Sequence, residues 1–231
     1  MAIISSGAER AFSYIAFFDL DRTITAVISG RALAKGAYSK GLMKNLTLIK
    51  ALLNSVFYKL NLRDQAKIID SMAGWTKGLG EKEYLDLCNF VLNEKLLPSV
   101  FKEALVEISS HKNKGARVVL LSSAVDAVCN GIASELGLDD VICSRLEVID
   151  SRLTGKPVGS ICFGPVKAIK LKEYCNSYKS DPSLSWYYGD SISDLPALLA
   201  VGNPVCINPD SGLSKKAAEF NWDVRIWNKI S

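Results

Sequence analysis

No two of the six cysteines, at 88, 129, 143, 162, 175 and 206, form a C-x-x-C pair. That argues against a zinc site, and against a disulfide scaffold in a chain of 231 residues. The cysteines are expected as reduced, mostly buried thiols of a cytoplasmic protein. No apolar run reaches the roughly 18 residues expected of a membrane-spanning helix. The first ten residues, MAIISSGAER, lack the charged-then-apolar pattern of a secretory signal. There is neither an internal repeat nor a low-complexity tract. The one histidine, His111, is expected at the surface without a role. A net charge of +4 favours anionic ligands but is too mild to imply a nucleic-acid partner. One absence is local. From Arg22 to Arg63 there is no Asp or Glu, against eight basic residues: Arg22, Arg31, Lys35, Lys40, Lys44, Lys50, Lys59 and Arg63. This reads as a solvated basic face. The alternative is a field that draws an anionic substrate, or the surface of an anionic membrane, toward the protein.

What the chain does contain is the composition of a globular protein, 48% apolar and 23% charged, long enough for one large domain or a core with an insert. Tyr14–Phe18 has the pattern of a short buried strand. From Gly30 to about Lys95 the pattern is helical. Leu42, Leu46, Ile49, Leu53, Val56 and Leu60 keep one stripe on one face, which reads as bundle core. Further helices are expected at 63–72 and 81–93, after a break at Gly78–Gly80. Beyond Pro98 the elements alternate. Helices are expected at 99–113, 125–136, 165–178, 193–200 and 212–220. Strands are expected at 117–121, 141–143, 184–188, 204–207 and 224–227, with a turn-rich stretch at 146–163 that suits a hairpin. Alternation of this kind implies an α/β fold with a mostly parallel sheet. The helical region is inserted after the first strand. Trp75, Tyr84 and Trp186 are expected to serve packing.

Three of these strands end in polar residues at one edge of the sheet. The first supplies Asp19 and Asp21, whose i, i+2 spacing turns both to one side of an extended backbone. The second supplies Ser122 and Ser123. A later strand, WYYGDSISDLP, supplies Asp190 and Asp194, and Lys167 lies one helix before it. Carboxylates without a nearby histidine suit a hard cation such as Mg²⁺, which takes oxygen ligands. A lysine, a hydroxyl and backbone N–H groups beside them suit a phosphate. Together they point to phosphoryl transfer through an aspartyl-phosphate.

These residues stand as Asp19-Leu-Asp21-Arg-Thr23, Ser122, Lys167 and Gly189-Asp190-Ser-Ile-Ser-Asp194. In that order they resemble the four motifs of the haloacid dehalogenase superfamily. The helical insert resembles its phosphoserine-phosphatase-like branch, subfamily IB. WTKGLGEKEY and GNPVCINPDSGLSKKAAEFNW look like hydrolases of the same branch. The resemblance implies a three-layer αβα Rossmann-like core, residues 1–27 and 96–231, with an inserted α-helical cap of the C1 type, residues 28–95. It implies that Asp19 attacks phosphorus and ligates Mg²⁺. Asp21 would protonate the leaving oxygen and then activate water, its main-chain carbonyl also reaching the metal. Ser122, Ser123 and Lys167 would bind the phosphoryl group, with Thr23 bracing the loop beside it. Asp190 would ligate the metal, and Asp194 would order a metal water or hold Lys167. The implied activity is hydrolysis of a small organic phosphate monoester. Transfer to an alcohol acceptor and non-catalytic phospholigand binding are the alternatives, and a D-x-D nucleotide-sugar transferase is more distant. One departure bears on the substrate. Phosphoserine phosphatases carry a glutamate eight or nine residues after the nucleophile, where this chain has Val27 and Ile28. Asp64, Glu81 or Glu83 could take over that glutamate's part.

Overall fold

The computed structural model describes residues 12–43 and 73–228. Six parallel strands form the central sheet in the order β3-β2-β1-β6-β7-β8. They are β1 Ile15–Phe18, β2 Arg117–Val125, β3 Asp140–Ser144, β6 Trp186–Gly189, β7 Asn203–Ile207 and β8 Asp223–Arg225. A separate antiparallel hairpin pairs β4 Leu146–Ile149 with β5 Arg152–Pro157. The described helices are α1 Ser29–Ser39, α2 Glu81–Val91, α3 Lys102–Asn113, α4 Asp126–Leu136, α5 Pro165–Ser177, α6 Leu195–Leu198 and α7 Ser211–Phe220.

The sequence of β1 explains the layering. Successive strand side chains point to opposite faces, and all four of its residues are buried. Ile15 and Phe17 join Val119, Leu121, Tyr187 and Cys206 on one face, closed by Leu171 and Cys175 of α5, Leu198 of α6 and Leu213 of α7. Ala16 and Phe18 join Val118, Leu120 and Tyr188 on the other, closed by Ala104 and Ile108 of α3 and Val128 and Ile132 of α4. An apolar layer on each side of a parallel sheet is the αβα sandwich. Helices α1 and α2 add Leu33, Leu87 and Val91 to the second layer. Strand order reverses at β1, whose neighbours are β2 and β6. In open α/β sheets the crevice at such a switch, beyond the carboxyl ends of the strands, is where ligands bind.

Several elements differ from the sequence expectation. Strand β2 does not stop at Leu121. It continues through Ser122 and Ser123 to Val125, with an irregular register against β3 between Leu121 and Val125. Residues 97–99 form a 3₁₀ turn, so α3 begins at Lys102 instead of Ser99. The helix expected at 193–200 is a 3₁₀ turn, Ile192–Asp194, followed by the short α6. Helix α2 passes into a π-helical turn at Leu92–Leu96. His111 is not a surface residue. It is 1% exposed, enclosed by Tyr14, Phe18, Trp186 and Tyr188. All six cysteines are free, five buried and Cys143 half-buried. Tyr84 is buried, while Trp75 and Trp186 pack half-buried against the same core. The stripe from Leu46 to Leu60, the helix expected at 63–72, and Lys44, Lys50, Lys59 and Arg63 lie outside the described residues. No helix among the described residues is long and apolar enough to cross a membrane.

Candidate active site

β1 ends at Phe18, in register with Leu120 of β2 and Tyr188 of β6. The Asp19 N–H extends the ladder by one bond, donating to the Tyr188 carbonyl at 2.9 Å. Asp19 therefore leaves the sheet at the switch, beside Gly189 and Asp190. Gly189 has a steric reason to be glycine: a Cβ there would meet Asp194 Oδ2 and the Tyr187 ring at 2.9 Å.

Lys167, in the first turn of α5, ties the cluster together from 3% exposure. Its Nζ donates to Asp19 Oδ1 at 2.7 Å, to Asp194 Oδ1 at 2.7 Å and to the Tyr187 hydroxyl at 3.1 Å. Tyr187 in turn donates to Asp194 Oδ1 at 2.8 Å. Asp194 Oδ2 accepts the Ser191 N–H at 3.3 Å, so both of its oxygens are committed. Burial disfavours a charged lysine, but Asp19 and Asp194 overcome it and hold the Lys167 pKa well above its ordinary value. Three of the carboxylates are raised as well, which in their case favours the neutral form. Burial pushes Asp19 up to about 7, reinforced by Asp194 and Asp21 and opposed by Lys167. Burial, then Asp194 and Asp19, push Asp190 up to about 9, with Arg22 and Lys167 opposing. Asp21 is also raised by burial.

One oxygen from each of Asp19, Asp190 and Asp194 lies within 4.8 Å of the others. Three buried carboxylates, with Lys167 paired to only two of them, form an electron-rich oxygen cluster. That donor set fits a hard divalent cation such as Mg²⁺. Asp21 turns elsewhere. Its Oδ1 accepts the Ser29 N–H at 2.8 Å and its Oδ2 the Ser29 hydroxyl at 3.0 Å. It thus caps the N-terminus of α1 from outside the helix, since Ile28 at the cap position has no side chain for the task.

Ser122 is buried, and its Oγ accepts the Ala124 N–H at 3.3 Å across the irregular part of β2. Ser123 is half-buried, and its carbonyl accepts from the Ser144 hydroxyl at 3.0 Å. The Thr23 hydroxyl is buried without a hydrogen-bond partner. Neither Thr23, Ser122 nor Ser123 bonds to the Asp19–Lys167–Asp194 group among the described residues. Glu83 is exposed and accepts the Gly80 N–H at 3.2 Å, capping α2. Glu81 is exposed in the first turn of that helix, and Asp64 lies outside the described residues.

Four residues at the site escape a motif reading. Tyr187 bridges Lys167 and Asp194; it sits in an apolar strand and looks like core. Ser29 holds both oxygens of Asp21, and a serine opening a helix is the only signal for it. Asp210 caps α7 through Oδ1 to Leu213 N at 2.8 Å and accepts the Ile192 N–H through Oδ2 at 3.1 Å. It thereby steadies the loop carrying Asp190 and Asp194. Arg22 reaches Asp190, its Nη1 standing 3.5 Å from Oδ2.

The haloacid dehalogenase-like hydrolase family model matches residues 16–199. A probable phosphatase of Mycobacterium tuberculosis is 32% identical over 221 residues, covering 93% of this chain and 75% of its own. A phosphoserine phosphatase of the same organism is 26% identical over 233 residues, covering 96% and 75%. Among solved structures, a phospho-aspartyl intermediate analogue of phosphoserine phosphatase superposes with a TM-score of 0.74 at 19% identity, covering 95% of each chain. The chain belongs to the haloacid dehalogenase-like hydrolase family.

Proposed function

We propose that this phosphatase hydrolyses a small organic phosphate monoester with Mg²⁺, through an aspartyl-phosphate on Asp19. The observation that carries the reading is the buried Lys167 held 2.7 Å from both Asp19 and Asp194 beside a third carboxylate, Asp190. A fixed cation at an oxygen of Asp19 supports its reading as the nucleophile, since phosphoryl oxygens must also come to rest beside it. Asp19 and Asp190 would hold the metal, with the Asp21 carbonyl. Bound there, Mg²⁺ supplies positive charge to the phosphoryl oxygens.

The chain's own residues then divide the work. An Asp19 carboxylate oxygen attacks phosphorus, and the ester P–O bond breaks. Asp21 gives its proton to the departing alkoxide. Burial equips it for this, because a carboxyl with raised pKa carries a proton closer to neutrality. In the second half Asp21 takes a proton from water, which displaces phosphate from Asp19. Lys167, Ser122 and Ser123 hold the phosphoryl oxygens, and Thr23 braces the loop beside them. Asp194 and Tyr187 keep the lysine extended toward them. Residues 28–95 form the cap that selects the rest of the substrate.

The test is a screen of phosphate monoesters with Mg²⁺, covering phosphoamino acids, amino-alcohol phosphates, sugar phosphates, nucleotides and lysophospholipids, with and without an added alcohol acceptor. Release of inorganic phosphate, unaltered by the alcohol, is the expected outcome. Val27 packs half-buried against the core and Ile28 precedes α1, so neither offers a charge to an ammonium group. Phosphoserine should accordingly be a poor substrate. If its kcat/KM matched or exceeded every other monoester, this view of specificity would fail. Absence of phosphate release from the whole panel would favour a phospholigand-binding role.

A further inference from the structure

Arg22 adopts a φ of +62°, a conformation glycine takes freely and a residue with a Cβ resists. The chain nonetheless places its largest cationic side chain there, between Asp21 and Thr23. That side chain is 32% exposed at the rim of the site, and its Nη1 lies 3.5 Å from Asp190 Oδ2. Lys167 serves Asp19 and Asp194. Among the described residues, Arg22 is the cation paired with Asp190.

We propose that Arg22 is a built-in counter-ion of Asp190 that a divalent cation displaces on binding, so that Arg22 sets the metal affinity of the site. The proposal rests on the reading of Asp190 as a metal ligand. Its physical basis is competition for one carboxylate. Mg²⁺ needs its ligand oxygens at about 2.0–2.1 Å and in near-octahedral order. A guanidinium beside the same carboxylate occupies part of that approach and repels the incoming charge. Arg22 can yield at little expense, because its guanidinium is already partly in solvent. Until it yields, it opposes the burial that disfavours charge on Asp190.

Partly exposed ion pairs are weak, so the competition should change Mg²⁺ affinity by only about two- to fivefold. Isothermal titration of the purified full chain with MgCl₂, in phosphate-free buffer, reads this directly. Arg22→Gln keeps the Cβ and the backbone strain while removing the charge; Arg22→Gly removes both. Arg22→Gln should bind Mg²⁺ two- to fivefold more tightly than the parent, with Arg22→Gly at least as tight. Unchanged or weaker binding by Arg22→Gln overturns the proposal. So does tightening by Arg22→Gly alone, which would assign the effect to backbone relaxation. An Mg²⁺-induced rise in thermal midpoint, compared across the same proteins, must rank them in the same order and reports that each is folded. Asp190→Ala separates the two levels of inference. If it binds Mg²⁺ as the parent does, or if the parent binds none, the metal-site reading fails, and the Arg22 proposal with it.

Discussion

Tyr187 and Tyr188 are neighbours in β6, and each anchors a buried polar network on its own face of the sheet. Tyr187 joins Lys167, Asp19 and Asp194. Tyr188 joins His111, Tyr14, Glu107 and Arg225. The second network is closed. Tyr188 donates to Glu107 at 2.6 Å, and His111 Nε2 meets the Tyr188 oxygen at 2.7 Å. A neutral imidazole protonated at Nε2 then leaves Nδ1 to accept from Tyr14 at 2.9 Å. Every polar atom in that chain has a partner, Glu107 is paired with Arg225 at 3.0 Å, and Phe18 stacks on Tyr188 at 4.2 Å. The first network is open. It gathers Asp19, Asp190 and Asp194, with Asp21 beside them, against Lys167 and a half-buried Arg22. Satisfied polar groups rigidify a core; unsatisfied charge in a cleft is poised for a ligand or for chemistry.

The comparison breaks most sharply on the nucleophile. Asp19→Asn should lower turnover on the order of 10⁴-fold or more, because the covalent route is gone. Its thermal midpoint should stay within a few degrees of the parent's. His111→Leu should do the reverse. It takes the acceptor from the half-buried Tyr14 hydroxyl and the Nε2 donor from the buried Tyr188 oxygen, which still bonds Glu107, costing roughly 1–3 kcal/mol of stability in all. Turnover at a temperature where the variant is folded should match the parent. Appreciable Mg²⁺-dependent activity in folded Asp19→Asn would sink the aspartyl-phosphate mechanism. A dead but stable His111→Leu would merge the two networks.

Asp190→Ala comes next in size. Losing one carboxylate ligand should raise the Mg²⁺ concentration for half-maximal activity about tenfold or more, with partial rescue at high metal. An unchanged metal dependence would remove Asp190 from the ligand set.

The same substitution at adjacent residues sharpens the contrast. Tyr187→Phe deletes a hydroxyl that positions Lys167 and Asp194, so kcat/KM should fall about three- to tenfold with little loss of stability. Tyr188→Phe deletes a hydroxyl that serves Glu107 and His111, so stability should fall by about 1 kcal/mol with kinetics unchanged. Matching kinetic defects in the two variants would mean that the sheet does not insulate one face from the other.

What could be read from the chain follows the same division. Asp19, Asp21, Asp190, Asp194 and Lys167 were legible because each sits at a position fixed by local pattern: a strand tip, a turn after a strand, the first turn of a helix. The alternating elements from Arg117 onward were legible for the same reason. The closed network was not. His111 is separated in sequence from Tyr14 by 97 residues and from Tyr188 by 77, and nothing local in SSHKNKG marks a buried imidazole. Tyr187 was hidden inside an apolar strand, where an aromatic residue has reason enough to occur. Strand β2 was expected to end at Leu121, before the two serines. Pairing with β3 and the bond from Ser144 to the Ser123 carbonyl carry it on to Val125.

The smallest effect tests whether the closed network is as inert as its bonding suggests. Burial pulls the His111 pKa down to about 4, with Lys114 and Arg225 adding to the effect and Glu107 opposing it. A base whose folded pKa lies below its unfolded value of about 6.5 takes up its proton first in the unfolded chain. As pH falls from about 6.5 toward 4, the unfolded state therefore binds more protons, and stability declines. Above about 6.5 neither state is protonated and the contribution is complete. Glu107 works in the same direction at the acid end. Burial tends to raise its pKa, but Tyr188 and Arg225 hold it below the usual carboxylate value, so protonating it also costs stability. In EDTA the raised pKa values of Asp19 and Asp190 work the other way, since those groups take up protons first in the folded state. The His111 contribution is therefore read as a difference: between pH 6.5 and about 4.5 the thermal midpoint of the parent should drop relative to that of His111→Gln, which keeps a donor and an acceptor but does not titrate. Equal slopes in that window would show that some other group governs the acid response. The same slope in Asp19→Asn as in the parent would place that response outside the open network.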